Sequence, residues 1–325
     1  MSSAALRSPM TAMSRRTRAY FAPVNRETSA PAIYDPAKHG AFAPDAPPAP
    51  WIDLGWIDNL KRTPTTAFIA MRAGAKGAPS AQMRQRLEAR VEFEFRDWGK
   101  LQMALAGGSQ HMNVLEADVN ADALPSGGTA LLPAAVLSGS TAQELIFGAG
   151  AVDVFNVGDM LAVDVDYRQQ TGYVGSGVAG AYVKNALDVR RSLDYVRRVT
   201  FNVGRIASKT VTSAILAQPL IGGSPPAGAS AQRVIAFADR EGGSFFQEWS
   251  ALFAIEEESG ARACFYYPRL QAAAPARESR FELPAPLCGW SLAASFLALP
   301  HVDANDGEQV LCYRSYFPAA RAALY

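Results

Sequence analysis

Cysteine, histidine and net charge are all scarce in this chain. Cys264, Cys288 and Cys312 are its three cysteines, an odd number with no CxxC pair, which argues against a disulfide framework and suits buried thiols in a reducing compartment. Their equal spacing carries no longer pattern, and no histidine pair stands near them to complete a zinc site. His39, His111 and His301 lie in no HExxH helix, no GxSxG elbow and beside no cysteine, so none reads as a catalytic base or metal ligand. With 31 basic and 30 acidic residues the formal charge is +1, which removes any global electrostatic argument for binding nucleic acid or an acidic membrane. No apolar run reaches the ~18 residues that a bilayer crossing needs, so no membrane segment is expected and the chain reads as soluble.

What the chain does have is core material. Hydrophobic residues make up 49% of 325 and aromatics 10%, ample for one large core or two modest ones. In the stretch Arg84 to Leu105, Val91, Phe93 and Phe95 point one way while Glu92, Glu94 and Arg96 point the other, the period of a strand with one dry face. Asp97 then stands as an N-cap, Leu101, Ala104 and Leu105 recur at helical spacing, and Gly107 and Gly108 end the pattern. Further alternation runs through Leu161, Val163, Val165 and Tyr167, through Val199, Phe201 and Val203, and through RVIAFA, EWSALFAI, ARACFYY, GWSLAASFLAL and EQVLCYRSYF. The expected fold is therefore mainly β, a sandwich or barrel with one flanking α-helix and long loops.

Composition also marks boundaries. The first 26 residues carry Arg7, Arg15, Arg16, Arg18 and Arg26 without an acid, and the Pro-rich run APDAPPAPW ends at Trp51. A transit peptide would have the first of these features, but a basic, extended arm over 1–50 that reaches a neighbouring subunit accounts for both. The folded body is then 51–325, with long loops or an insertion at about 107–150 and a second such stretch from Gln218 to Ser230.

Three patterns with chemical precedent are weaker than they look. GSGVAG, with Gly175, Gly177 and Gly180, matches GxGxxG, yet YRQQTGY and not a buried strand precedes it and Asp194 has no strand to sit on, so no dinucleotide cofactor is expected. Glu92 with Glu94, and Asp164 with Asp166, share strand faces, but an acid–base pair must converge across a substrate, and a solvated face explains both pairs. Trp51, Trp56 and Trp98, like Trp249 and Trp290, read as core or interface anchors before a ligand cage.

The order WIDLGWIDNLKR, then VEFEFRDWGKLQMALAGGSQHMNVL, then DYVRRVTFNVGRI and a strand-rich C-terminal third resembles a tail tube protein, the major tail protein of a tailed bacteriophage or prophage. The resemblance covers Trp51 to Asn113 best and Asp194 to Ile206 next. It implies a tail-tube-like β-sandwich or barrel, hexameric rings whose inner sheets join, and stacking into a tube that conducts DNA. It carries no catalytic signature, and the extra N-terminal and 107–150 lengths read as an added arm or insertion. The implied partners are other copies of the chain, tape-measure, tail-terminator and baseplate or tip proteins, and passing double-stranded DNA without specific binding. The implied location is the virion tail after assembly in the host cytoplasm. Glu92, Glu94, Asp164 and Asp166 are then candidates to line the bore and repel phosphates, and Trp51, Trp56 and Trp98 candidates for subunit contacts. Another virion or injection-machine protein, a carbohydrate-binding β module and a glycoside hydrolase remain as alternatives.

Overall fold

The computed structural model describes residues 16–24, 28–40, 47–48, 50–73, 78–96, 99–107, 110–116, 131–164, 202–240, 248–258, 260–273, 277–282 and 288–319. In chain order the elements are β1 (Arg16–Pro23), α1 (Pro36–His39), β2 (Ile52–Ala73), β3 (Ala78–Phe95), α2 (Lys100–Gly107), β4 (Gln110–Leu115), β5 (Ala134–Ala135), β6 (Glu144–Ile146) and β7 (Met160–Asp164). There follow β8 (Val203–Lys209), β9 (Ser213–Leu216), β10 (Ser230–Arg240), β11 (Glu248–Glu256), β12 (Arg262–Ala272), β13 (Arg277–Glu282), β14 (Cys288–Ala298), β15 (His301–Val302), β16 (Gln309–Val310) and β17 (Tyr313–Phe317). The chain is mainly β, and it divides into two units: residues 1–24, 31–108 and 246–325 form unit 1, while 25–30 and 109–245 form unit 2.

Unit 1 is built on a closed antiparallel barrel of six strands. The ladder runs β14–β3–β2–β1–β11–β12, and β12 returns to β14 through Leu270↔Ala298, Gln271↔Leu297 and Ala272↔Phe296. Alternation aims Phe21, Phe93, Phe253 and Phe296 inward, each 2% exposed or less. Their rings meet edge to face at 5.4 Å for Phe21–Phe296 and 5.5 Å for Phe93–Phe253, the arrangement that ring quadrupoles favour. Tyr20, Ala22, Leu252, Ala254, Cys264 and Tyr266 face the other way and are covered by Tyr34 and Trp51. The covering segment is tied down where the Ala32 N–H donates to Ser250 Oγ at 2.9 Å and Tyr266 Oη donates to the Ala32 carbonyl at 2.8 Å. Helix α2 lies where the sequence pattern set it and buries Leu105 and Ala106; its expected N-cap, Asp97, lies outside the described residues.

Unit 2 is a second antiparallel sheet in the order β4–β10–β7–β8–β9–β6, with β5 also on β10. Its own core includes Leu145, Phe147, Val152, Leu161, Val163 and Ile206. Buried Asn202 holds two segments together, donating from Nδ2 to the Val163 carbonyl at 2.7 Å and accepting from the Gly222 N–H at 2.8 Å. A Cβ at residue 222 would come within 2.8 Å of Asn202 Oδ1, so the approach requires glycine.

Two sequence expectations need correction. Residues 16–23 are no arm: they are a barrel strand paired on both sides, with β11 from Arg16↔Glu256 to Pro23↔Trp249 and with β2 from Thr17↔Ile57 to Phe21↔Ile52. The run between Arg18 and Pro23 is short, and both of its faces are covered, so it shows no wet–dry alternation. Nor is 51–325 one body with long loops or an insertion confined to about 107–150. The inserted unit extends over 109–245, because short strands and tight turns supply its core residues singly and leave no long apolar run to see.

Candidate functional site

The most distinctive surface grows out of β2 and β3. These strands pair from Ile57↔Phe95 to Ala73↔Ala78, but β14 accompanies β3 only from Phe95 to Ala89 and β1 accompanies β2 only as far as Ile57. From Thr65↔Glu88 outward the ladder is a two-stranded ribbon with no third strand among the described residues. At ~3.3 Å per residue, Thr65–Ala73 spans about 30 Å. The ribbon carries apolar side chains on both faces: Phe68 is 55% exposed, and the cross-strand neighbours Ile69 and Met83 are 49% and 59% exposed. A free hairpin is marginal in water, which makes the exposed apolar side chains on this one its most unusual feature.

Where the ribbon leaves the barrel, Arg62 closes the end. Its guanidinium lies 4.0 Å from the Phe265 ring centroid, donates from Nε to Tyr267 Oη at 2.6 Å, and reaches Cys312 Sγ at 3.3 Å. A guanidinium over a ring is a weakly hydrated plug that tolerates an apolar neighbourhood. At the other end of the same strands, beyond the Leu292↔Phe95 rung, β13 and β14 continue as a second hairpin from Arg277↔Ala293 to Glu282↔Cys288. Unit 1 thus extends hairpins from opposite ends of one barrel.

Glu92 and Glu94 stand on the wet outer face of β3, paired with Ser295 and Ala293 of β14. They line a shallow depression of about 220 Å³ together with Asn59, Lys61 and Arg277. Lys61 is 4.0 Å from Glu92, and Arg96 makes a forked pair with Asp58 at 2.8 Å. The face is therefore charge-balanced, not acidic. Asp164 ends β7 in unit 2, its side chain is not described, and Asp166 lies outside the described residues together with the GSGVAG glycines. Among the described residues no three His, Cys, Asp or Glu side chains gather to hold a metal.

The tryptophans separate. Trp51 is 5% exposed and packs edge-on against Tyr266 at 6.2 Å, so unit 1 uses it in its own core and it is not a free subunit anchor. Trp56 is half-buried beneath Arg18, whose guanidinium is 5.2 Å from the ring centroid and pairs with Asp53 through Nε and one terminal nitrogen. Trp98 lies outside the described residues.

Sequence reading missed a cavity of about 500 Å³ in unit 1, lined by Tyr34, Tyr266, Tyr313, His301, Asp303 and Asn305 among others. Its residues come from three distant segments, and only the fold unites them. Tyr266 and Tyr313 stack at 5.8 Å, and Asp303 accepts from Tyr313 Oη at 2.6 Å and from the Asn305 backbone at 2.9 Å. Those bonds, the tyrosine's first, hold the exposed Asp303 carboxyl below its ordinary range. Burial pushes Tyr20, Tyr34 and Tyr266 upward, and pushes Tyr267 and Tyr313 up to about 12.

That burial gives alkaline pH a defined effect. The unfolded chain ionises its tyrosines near 10.0 while the folded chain keeps these protonated to about 12 and beyond. The stability they contribute is whole below pH 10 and drains away as pH rises through about 12. A titration following tyrosinate absorbance and circular dichroism together is expected to show the last tyrosines ionising as the sheet unfolds. Ionisation of all of them near pH 10 with the fold intact would contradict it.

No family model matches this sequence, and no curated protein is similar to it.

Proposed function

We propose that this chain is a structural subunit that self-assembles into stacked rings, forming the tail tube of a tailed bacteriophage or prophage through which DNA is ejected. The observation that carries this reading is the β2–β3 ribbon, which leaves the barrel with Phe68, Ile69 and Met83 exposed. Hairpins at opposite ends of one barrel suit contacts that differ at top and bottom, and such heterologous contacts propagate into rings and filaments. Hexameric rings, a place in the virion tail after assembly in the host cytoplasm, and contacts with tape-measure, terminator and baseplate or tip proteins belong to the same reading. So does the assignment of the Glu92–Glu94 face to the bore. A wall where carboxylates alternate with Lys61, Arg96 and Arg277 presents a passing duplex with no continuous cationic track to which phosphates would adhere.

Sedimentation velocity over rising concentration tests the reading. A shift from monomer to a discrete ring-sized species is expected; a single monomeric species at every concentration would overturn it. A second reading, a carbohydrate-binding β module, is favoured by one feature, the tyrosine-lined cavity with Asp303 and Asn305 on its lining. Retention of the monomer on a glycan array, lost in Asn305→Ala, would favour that reading.

A further inference from the structure

Unit 2 holds an apolar groove of about 310 Å³ between Leu131, Leu132, Val154 and Phe155, floored by Gln232 and Arg233. Leu132 is 95% and Val154 63% exposed. Arg233 is clamped by Glu116 on one side and by Asp159 on the other, so two carboxylates meet one guanidinium and the rim is negative. Gln232 is 5% exposed, gives its Nε2 donor to the Leu131 carbonyl at 2.5 Å, and leaves Oε1 without a hydrogen-bond donor.

The β2–β3 ribbon has the complementary chemistry. Ile69 and Met83 expose apolar side chains on one of its faces, and the stretch Thr65 to Glu88 carries Arg72, Lys76, Arg84 and Arg86 against Glu88 alone. From Gly107 to Tyr167, by contrast, the sequence contains no lysine or arginine, while Glu116, Asp153 and Asp159 stand at or beside the groove.

We propose that the β2–β3 ribbon of one copy docks through Ile69 and Met83, which share one face, into the Leu132–Val154 groove of unit 2 of a second copy. An exposed apolar knob and a pocket elsewhere on the same molecule make a head-to-tail contact that repeats from copy to copy. Opposite charges on ribbon and rim orient it. The inference rests on the self-assembly reading and adds the surface that receives the ribbon.

The test places the photo-cross-linker p-benzoylphenylalanine at position 69 of the full chain and irradiates it at assembling concentration. Covalent dimers and longer ladders are expected, with the cross-linked peptides containing Leu131–Leu132 or Val154–Phe155. Particles that form but cross-link within one chain, or to another surface, overturn the docking and leave self-assembly standing. Failure to associate at any concentration overturns both. Leu132→Arg, at a side chain almost wholly in solvent, adds a like charge facing the ribbon and is expected to weaken association at least about tenfold with unit 2 still folded; unchanged association would also overturn the docking.

Discussion

The paired substitution Ile69→Lys with Met83→Glu is expected to leave the fold intact and abolish assembly. The two residues face each other across the ribbon, so the new side chains form an opposite-charge cross-strand pair and the hairpin keeps its ladder. Both sites are about half exposed or more, and surface changes of this kind shift stability within ~0.5 kcal/mol. At a subunit interface the same side chains would be anchors. Two anchors at ~2 kcal/mol each amount to ~4 kcal/mol, about a thousandfold in dissociation constant. Sedimentation equilibrium beside a thermal melt separates the outcomes. Wild-type melting with a monomeric mass supports the ribbon as the assembly element, whereas wild-type association would remove it from that role.

Phe21→Ala is expected to destabilise unit 1 by about 3–5 kcal/mol. The Phe21 ring is fully buried and meets those of Phe93, Trp249, Phe253 and Phe296 at 6.3, 6.2, 6.0 and 5.4 Å, and its loss leaves a hole bounded by four rings that cannot collapse together. Against a typical domain stability of about 5–15 kcal/mol, the variant sits near the edge of folding. The urea midpoint measures this directly. If residues 16–23 were an extended arm instead, the midpoint would not move and only association would suffer, so this one substitution decides between a barrel strand and an arm.

The contrast between β1 and β3 explains what could be read from sequence. Val91, Phe93 and Phe95 alternate with charged residues because one face of β3 is wet, and that alternation was legible. In β1, Ala19 and Phe21 face the barrel interior while Tyr20 and Ala22 lie beneath Tyr34 and Trp51; burial on both sides erases the period. Trp51 shows the related limit, since an aromatic buried in its own core and one waiting for a partner look the same as letters. Barrel closure rests on pairing across residues 270–272 and 296–298, a register with no local signature. The ribbon was illegible for the converse reason: nothing in the letters around Phe68, Ile69 and Met83 marks them for exposure, and only the fold leaves both faces of the hairpin open. Glu92 and Glu94 were correctly placed on a wet face, but their neighbours Lys61 and Arg277 arrive from other strands, so its charge balance was hidden.

Electron microscopy of the purified chain at rising concentration tests self-assembly most directly. The account predicts rings and stacked hollow tubes from the wild type and neither from the Ile69→Lys, Met83→Glu chain. Dispersed single particles from both, at concentrations where the fold is intact, would contradict it.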